Sequence, residues 1–132
     1  GVTIIQDCYN ASPNSMKSAI DVITSINCEG KRVCVLGDML ELGDYSDDAH
    51  IEVGKLVGRS KVDTLICYGQ QGKLIKKGAI MVAMKNVYHF EDKTALSNFL
   101  KSNLVSGDAV IFKASRGMKL EEVLNLYTDE EI

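Results

Sequence analysis

Three short segments of this sequence carry side chains whose types and spacing suit chemistry. The first is Asp7-Cys8-Tyr9-Asn10-Ala11-Ser12-Pro13, which follows the apolar run Val2–Gln6. A carboxylate at the carboxyl end of a strand can accept hydrogen bonds from ribose hydroxyls. Tyr9 and Asn10 stand where they can flank a base. Ser12-Pro13 opens a helix whose free N–H groups point at the same crevice. The same residues also make a plain capped turn, with Asp7 bonding local backbone. The second segment is Gly37-Asp38-Met39-Leu40-Glu41-Leu42-Gly43. Its two carboxylates, Asp38 and Glu41, suit an amine or the orienting of a neighbouring loop; a solvated loop has this composition too. The third is Lys113-Ala114-Ser115-Arg116-Gly117-Met118. It sets a hydroxyl and two cations together, a combination that fits a carboxylate or phosphate, because Arg binds either with two parallel hydrogen bonds. A basic surface turn is the alternative.

Several signatures are missing. Gly69-Gln70-Gln71-Gly72-Lys73 resembles half of a phosphate loop but lacks the GxxxxGK[ST] spacing, and GxGxxG does not occur. No nucleophile stands beside a base, and no ligand cluster has metal-binding spacing. His50 is alone on a helix and is expected to be structural or exposed. The four cysteines, Cys8, Cys28, Cys34 and Cys67, form no CxxC pair. They read as free thiols, Cys34 and Cys67 buried in apolar runs, in a reducing cytoplasm. A ligand-binding part of a larger enzyme fits this inventory better than a self-contained catalyst.

The elements that must position the three loops alternate strand and helix. Strands are predicted over Val2–Gln6, Val33–Leu36, Thr64–Tyr68, Asn86–Phe90 and Ala109–Lys113. The first helix opens at Ser12-Pro13, with Met16, Ala19, Ile20, Ile23 and Ile26 at helical spacing. Ser46 is expected to cap the second helix, whose inner face carries Val53, Leu56 and Val57. Leu74, Ile75, Gly78, Ala79 and Val82 mark a third. Asp92 caps a fourth, with Ala95, Leu96, Phe99 and Leu100 inward, and Leu120, Val123, Leu124 and Tyr127 mark the last. Repeated βα units predict an α/β, Rossmann-like, mostly parallel sheet with helices on both faces. In such sheets ligands sit outside the carboxyl ends of the strands, which is where the three segments fall.

The 132 residues suit one domain over 1–132. A hydrophobic fraction of 45% and a charged fraction of 25% are ordinary for a globular protein. The net charge of −3, from 15 Lys+Arg against 18 Asp+Glu, argues against a nucleic-acid partner. No apolar run approaches the roughly 20 residues of a membrane span. The start, Gly1-Val2-Thr3-Ile4-Ile5, reads as a strand and not a signal peptide, and without a Met it suggests a chain that begins within a longer protein.

Taken in order, the blocks Asp7–Met16, Leu36–Gly43 with His50 and Val53-Gly54, and Lys113–Met118 resemble the C-terminal domain of the Mur ligase family. They span nearly the whole chain. The second block points to the member that adds D-alanyl-D-alanine. The resemblance implies a monomeric, cytoplasmic, ATP-dependent amide ligase of peptidoglycan synthesis whose N-terminal and central domains lie outside this chain. ATP phosphorylates the terminal carboxylate of UDP-N-acetylmuramoyl-tripeptide, and the dipeptide amine then displaces phosphate. The phosphate loop and the Mg2+ ligands are expected in the central domain, so the chain alone is expected to be inactive. Asp7, with Tyr9 and Asn10, is implied at the nucleotide. Ser115 and Arg116, with Lys113, Asp38 and Glu41, are implied at the acceptor. A folylpolyglutamate-type or sister ligase is the runner-up, and a stand-alone α/β binding module is a reading from another class.

Overall fold

In a computed structural model, which describes residues 1–7 and 11–129, the alternation becomes five strands and five helices. In chain order these are β1 (Thr3–Asp7), α1 (Pro13–Ser25), β2 (Arg32–Gly37), α2 (Ser46–Gly58), β3 (Thr64–Tyr68), α3 (Gly72–Met81), β4 (Val87–Phe90), α4 (Lys93–Asn103), β5 (Ala109–Lys113) and α5 (Glu121–Asp129). Single 3-10 turns at Gly43–Tyr45 and Arg116–Met118 precede α2 and α5.

The strands form one sheet in the order β1-β5-β2-β3-β4, and every pairing is parallel. A right-handed crossover fixes which face each connecting helix covers. The steps β1 to β2, β2 to β3 and β3 to β4 all run the same way across the sheet. They place α1, α2 and α3 on one face, where Met16, Ile20, Ile23, Val57 and Ile75 pack on Leu36, Leu65 and Ile111. The step from β4 back to β5 reverses direction. It puts α4 on the other face, where Leu96 and Leu100, with Leu120 and Val123 of the last βα unit, pack on Val35, Ile66, Val110 and Phe112. Strands covered on both faces need continuous apolar sequence, and β2, β3 and β5 have it.

Local sequence sets the helix starts. Ser12 and Ser15 make a reciprocal capping box ahead of Pro13, with the Ser12 N–H donating to Ser15 Oγ at 2.8 Å and the Ser15 N–H to Ser12 Oγ at 3.2 Å. The Asp92 carboxylate accepts from the N–H groups of Thr94 and Ala95. Ser46 does not cap α2 as expected. The 3-10 turn feeds straight into the helix, so Tyr45 precedes it in helical conformation, Ser46 is the first helical residue, and the Ser46 N–H donates to the Gly43 carbonyl. Helices α2 and α3 meet through glycines. A Cβ on Gly54 would lie 1.9 Å from the Ile75 carbonyl oxygen, and one on Gly78 would lie 1.9 Å from that of Ile51.

Candidate functional site

The reversal of the chain has a geometric consequence. The loop after β5 departs toward the α5 face, while the loops after its neighbours β1 and β2 depart toward the α1 and α2 face. Between loops that diverge in this way a crevice opens at the carboxyl ends of the strands. The three segments selected from the sequence therefore meet around β5, although they come from opposite ends of the chain.

Lys113 ends β5 and is paired in register with Asp7 on one side and Leu36 on the other. Side chains alternate across a strand. With Ile111 packed on the α1 face and Phe112 on the opposite one, Lys113 faces the α1 side, as Asp7 does. Its Nζ lies 2.8 Å from Asp7 Oδ2. The lysine side chain is 3% exposed and the aspartate 48% exposed. The carboxylate expected at the nucleotide and one of the cations expected at the acceptor thus form a single ion pair. Tyr9 and Asn10, expected beside Asp7, lie outside the described residues, as does Cys8.

Ser115 joins the loops after β2 and β5. Its N–H donates to the Asp38 carbonyl oxygen at 3.1 Å, and its Oγ accepts from the Leu40 N–H at 2.8 Å. It is 8% exposed. Next to it, Gly37 approaches Ala114 so closely that a Cβ on Gly37 would stand 2.7 Å from the Ala114 Cβ. Arg116 and Glu41 are exposed on this double loop, and Glu41 holds φ at 64°.

Asp38 is 6% exposed, turned inward. Its Oδ1 has no hydrogen-bond partner. Burial pushes its carboxyl above the ordinary value, against the opposing pull of the backbone N–H groups of Gln71 and Gly72 and of the imidazoles of His50 and His89. Gly69, at φ 103°, passes directly over it; a Cβ there would lie 2.6 Å from Oδ1. Asp38 is therefore placed between loops and not out toward solvent.

Two histidines brace the same loops: His50, for which a structural place is one of the two expectations, and His89, which the sequence does not single out. His50 is fully buried; its Nε2 accepts from the Met39 N–H at 2.9 Å and its Nδ1 lies 2.6 Å from the Ser46 carbonyl oxygen. A carbonyl only accepts, so the proton sits on Nδ1. His89 Nε2 donates to the Gly69 carbonyl oxygen at 2.7 Å. The sequence signals for His50 are its place one turn into a helix after a glycine-bounded loop and its position in the second block of the family resemblance, and His89 gives none.

The described part of this site is a shelf and not a deep pocket. A cleft of about 520 Å³ runs beside it between α1 and α2, bounded by Pro13, Asn14 and Lys17 and by Tyr45, Asp48 and Glu52, and none of Asp7, Asp38, Lys113 or Ser115 lines it. Among the described residues no group of three or more His, Cys, Asp or Glu side chains could hold a metal ion. The donor set here does not fit Mg2+, and no step is assigned to that ion on this chain. Burial pushes the Cys34 thiol up to about 12 and that of Cys67 also upward, which leaves both neutral and unreactive. Among the described residues no helix is long and apolar enough to cross a membrane.

Comparison with known proteins places this geometry. The family described as Mur ligase, glutamate ligase domain, matches residues 1–116. The UDP-N-acetylmuramoyl-tripeptide--D-alanyl-D-alanine ligase of Bacillus subtilis is 46% identical over 125 residues, covering 94% of this chain and 27% of that protein. Its counterpart in Escherichia coli is 35% identical over 92% of this chain and 26% of its own length. The chain thus spans about a quarter of the curated relatives it matches. A crystal structure of MurF ligase from Thermotoga maritima in complex with ADP superposes with a TM-score of 0.83 at 30% identity, covering 98% of this chain and 29% of that one. The shared parallel sheet and the match across residues 1–116 show that this chain belongs to the Mur ligase family, as its glutamate ligase domain.

Proposed function

We propose that this chain is the C-terminal domain of a cytoplasmic, monomeric ligase that joins D-alanyl-D-alanine to UDP-N-acetylmuramoyl-tripeptide at the expense of ATP in peptidoglycan precursor synthesis. The observation that carries the reading is the 46% identity with the Bacillus subtilis enzyme of that name across 94% of the chain. In the proposed reaction the tripeptide's terminal carboxylate takes the γ-phosphoryl group of ATP. The neutral amine of the dipeptide attacks the acyl carbon, the C–O bond to phosphate breaks, and an amide forms.

The chain's share of this work is positioning. Asp7, with Tyr9 and Asn10, is proposed to receive the nucleotide ribose and base, since a half-exposed carboxylate at the end of β1 offers oxygen to hydroxyl donors. Ser115, Arg116 and Glu41 stand on the double loop after β2 and β5, where Arg116 suits the dipeptide carboxylate and Glu41 its amine before deprotonation. Lys113 and Asp38, read from the sequence as acceptor contacts, are buried; Asp38 is proposed to support the loop that carries Glu41. An open shelf with no phosphate-loop sequence and, among the described residues, no carboxylate cluster is half of a site. The 132-residue chain alone is therefore proposed to turn over no ATP, and the other half, with Mg2+, to come from the part of the protein outside it. Acyl phosphates hydrolyse readily, so closing such a shelf over the reactants also excludes water.

The test is steady-state kinetics on the full-length protein. Phosphate release should require ATP, tripeptide and dipeptide together. Ser115→Ala and Arg116→Lys should raise the dipeptide Michaelis constant by about 10-fold, the worth of one charged hydrogen bond. Dipeptide-independent phosphate release overturns the reaction. Unchanged dipeptide constants in both variants overturn the acceptor assignment.

A further inference from the structure

Lysine is an unusual end for β5. The strand lies inside the sheet between β1 and β2, and its four preceding residues are apolar and buried. An ammonium at 3% exposure loses nearly all its hydration and persists only with a close counter-charge. Asp7 Oδ2 at 2.8 Å supplies it. The relation is asymmetric: the lysine is enclosed, while half of the aspartate side chain remains open at the carboxyl end of the sheet. An enclosed ammonium is a poor ligand for an incoming dipeptide carboxylate and a good anchor for a neighbour that is itself exposed. Asp7 needs an anchor, because β1 is the edge strand, bonded on one side only, and most of its residues are exposed or half-buried.

We infer that Lys113 is a positioning residue for the nucleotide: its buried ammonium holds one oxygen of Asp7 so that the rest of the carboxylate faces the ribose hydroxyls at a fixed angle. The inference rests on the proposed nucleotide role of Asp7. It moves Lys113 from the acceptor side of the site to the nucleotide side, and it makes the last residue of β5 the joint between the two, with Asp7 beside it and Ser115 two residues on.

A double-mutant cycle in the full-length protein tests it, comparing wild type, Asp7→Asn, Lys113→Met and the double variant, with the Michaelis constants for ATP and dipeptide measured separately. Lys113→Met should raise the ATP constant by about 10-fold and leave the dipeptide constant within about 2-fold, the range set by loss of a charge-fixed hydrogen bond. In the Asp7→Asn background the same change should add less than about 2-fold, because there is no longer a carboxylate to hold. Should Lys113→Met not fold, Lys113→Gln, which can still donate to Asp7, should give a smaller rise confined to ATP. A Lys113 variant that moves the dipeptide constant alone, or effects on ATP that multiply in the double variant, overturns the inference. An Asp7→Asn variant with an unchanged ATP constant overturns instead the nucleotide reading beneath it.

Discussion

Replacing His50 by leucine removes a side chain that ties the start of α2 to the loop after β2. The side chain is fully buried, and leucine has a similar volume, so little cavity results. Two polar groups lose a partner, with unequal consequences. The Ser46 carbonyl lies in the first turn of α2, where the helix's own ladder supplies an N–H four residues on. The Met39 N–H has no such substitute: it sits in a loop, in a residue 1% exposed, and its acceptor is His50 Nε2 at 2.9 Å. An orphaned buried donor costs about 1–3 kcal/mol, so a loss near 2 kcal/mol is expected. With a urea dependence of roughly 1–3 kcal/mol per molar for a domain of this size, the midpoint should fall by about 1 M. The chain has no tryptophan, so far-ultraviolet circular dichroism of the 132-residue protein is the suitable signal. His50→Gln is the control, because its Oε1 can reach the place where Nε2 accepts, and it should recover more than half of the loss. Equal losses for Leu and Gln would refute the reasoning, since they would show that the Met39 bond is not what His50 contributes.

Gly54→Ala should lower the urea midpoint although alanine favours a helix by about 1 kcal/mol, because a Cβ 1.9 Å from the Ile75 carbonyl oxygen forces α2 off α3 at a cost above that gain; a raised midpoint would show that the two helices are not in contact there. The pH dependence of melting should carry two opposite contributions. Burial opposes ionisation of Asp108, but the Lys31 ammonium at 2.7 Å and the backbone N–H groups of Val105 and Lys31 together hold its carboxyl below the ordinary 3.8. The unfolded chain therefore binds the extra proton, and this stability is present above about 3.8 and lost as pH falls through the depressed folded value. Asp108→Asn should flatten that acid limb. Asp38 is raised by burial, so the folded state holds the extra proton, and stability falls as pH climbs from 3.8 through the raised value. Asp38→Asn should leave the melting temperature at pH 7 unchanged or higher, and a clear drop would show that the ionised carboxylate stabilises the fold.

Much of the fold is legible in the sequence because local chemistry and tertiary demand agree. Val33–Leu36 and Thr64–Tyr68 are apolar without alternation, as strands covered on both faces must be, and they extend by no more than a residue at either end. Ser12 and Asp92 cap where a side-chain oxygen precedes an apolar stripe. Ser46 has the same appearance and does not cap, because the 3-10 turn ahead of it already supplies the acceptor. The three loops are legible as a candidate site from the rule that parallel sheets bind ligands at their carboxyl ends. What lay beyond the sequence was the strand order. Nothing in residues 109–113 tells that β5 inserts between β1 and β2, and that insertion alone brings Lys113 to Asp7 and Ser115 to Leu40. For the same reason the burial of Lys113 and Asp38, expected from their residue types at the acceptor, is not legible in the sequence, since burial depends on which strands flank them.

The insertion of β5 also explains how a shelf this open can hold ligands at fixed positions. Asp7, Glu41 and Arg116, three of the groups proposed to meet a ligand, are half-exposed or exposed, yet each is attached to something that is not. Asp7 leans on a buried ammonium, and Glu41 follows Leu40, whose N–H is held by Ser115. Arg116 follows Ser115, whose own N–H is held by Asp38, and Met39 is held by His50. These supports converge on β2 and β5, adjacent strands at the middle of the sheet, so a displacement of one loop must strain the other. Positioning catalysis requires this property, because reacting atoms displaced by about 1 Å can lose on the order of 100-fold in rate. The loops after β2 and β5, where the acceptor contacts are proposed, share one support in Ser115. A change at Ser115 that loosens this support should be felt through both loops, whereas a change at Lys113, whose partner is Asp7, should be felt at the nucleotide, and truncation of Glu41 or Arg116, which sit on the outer surface, at the acceptor alone.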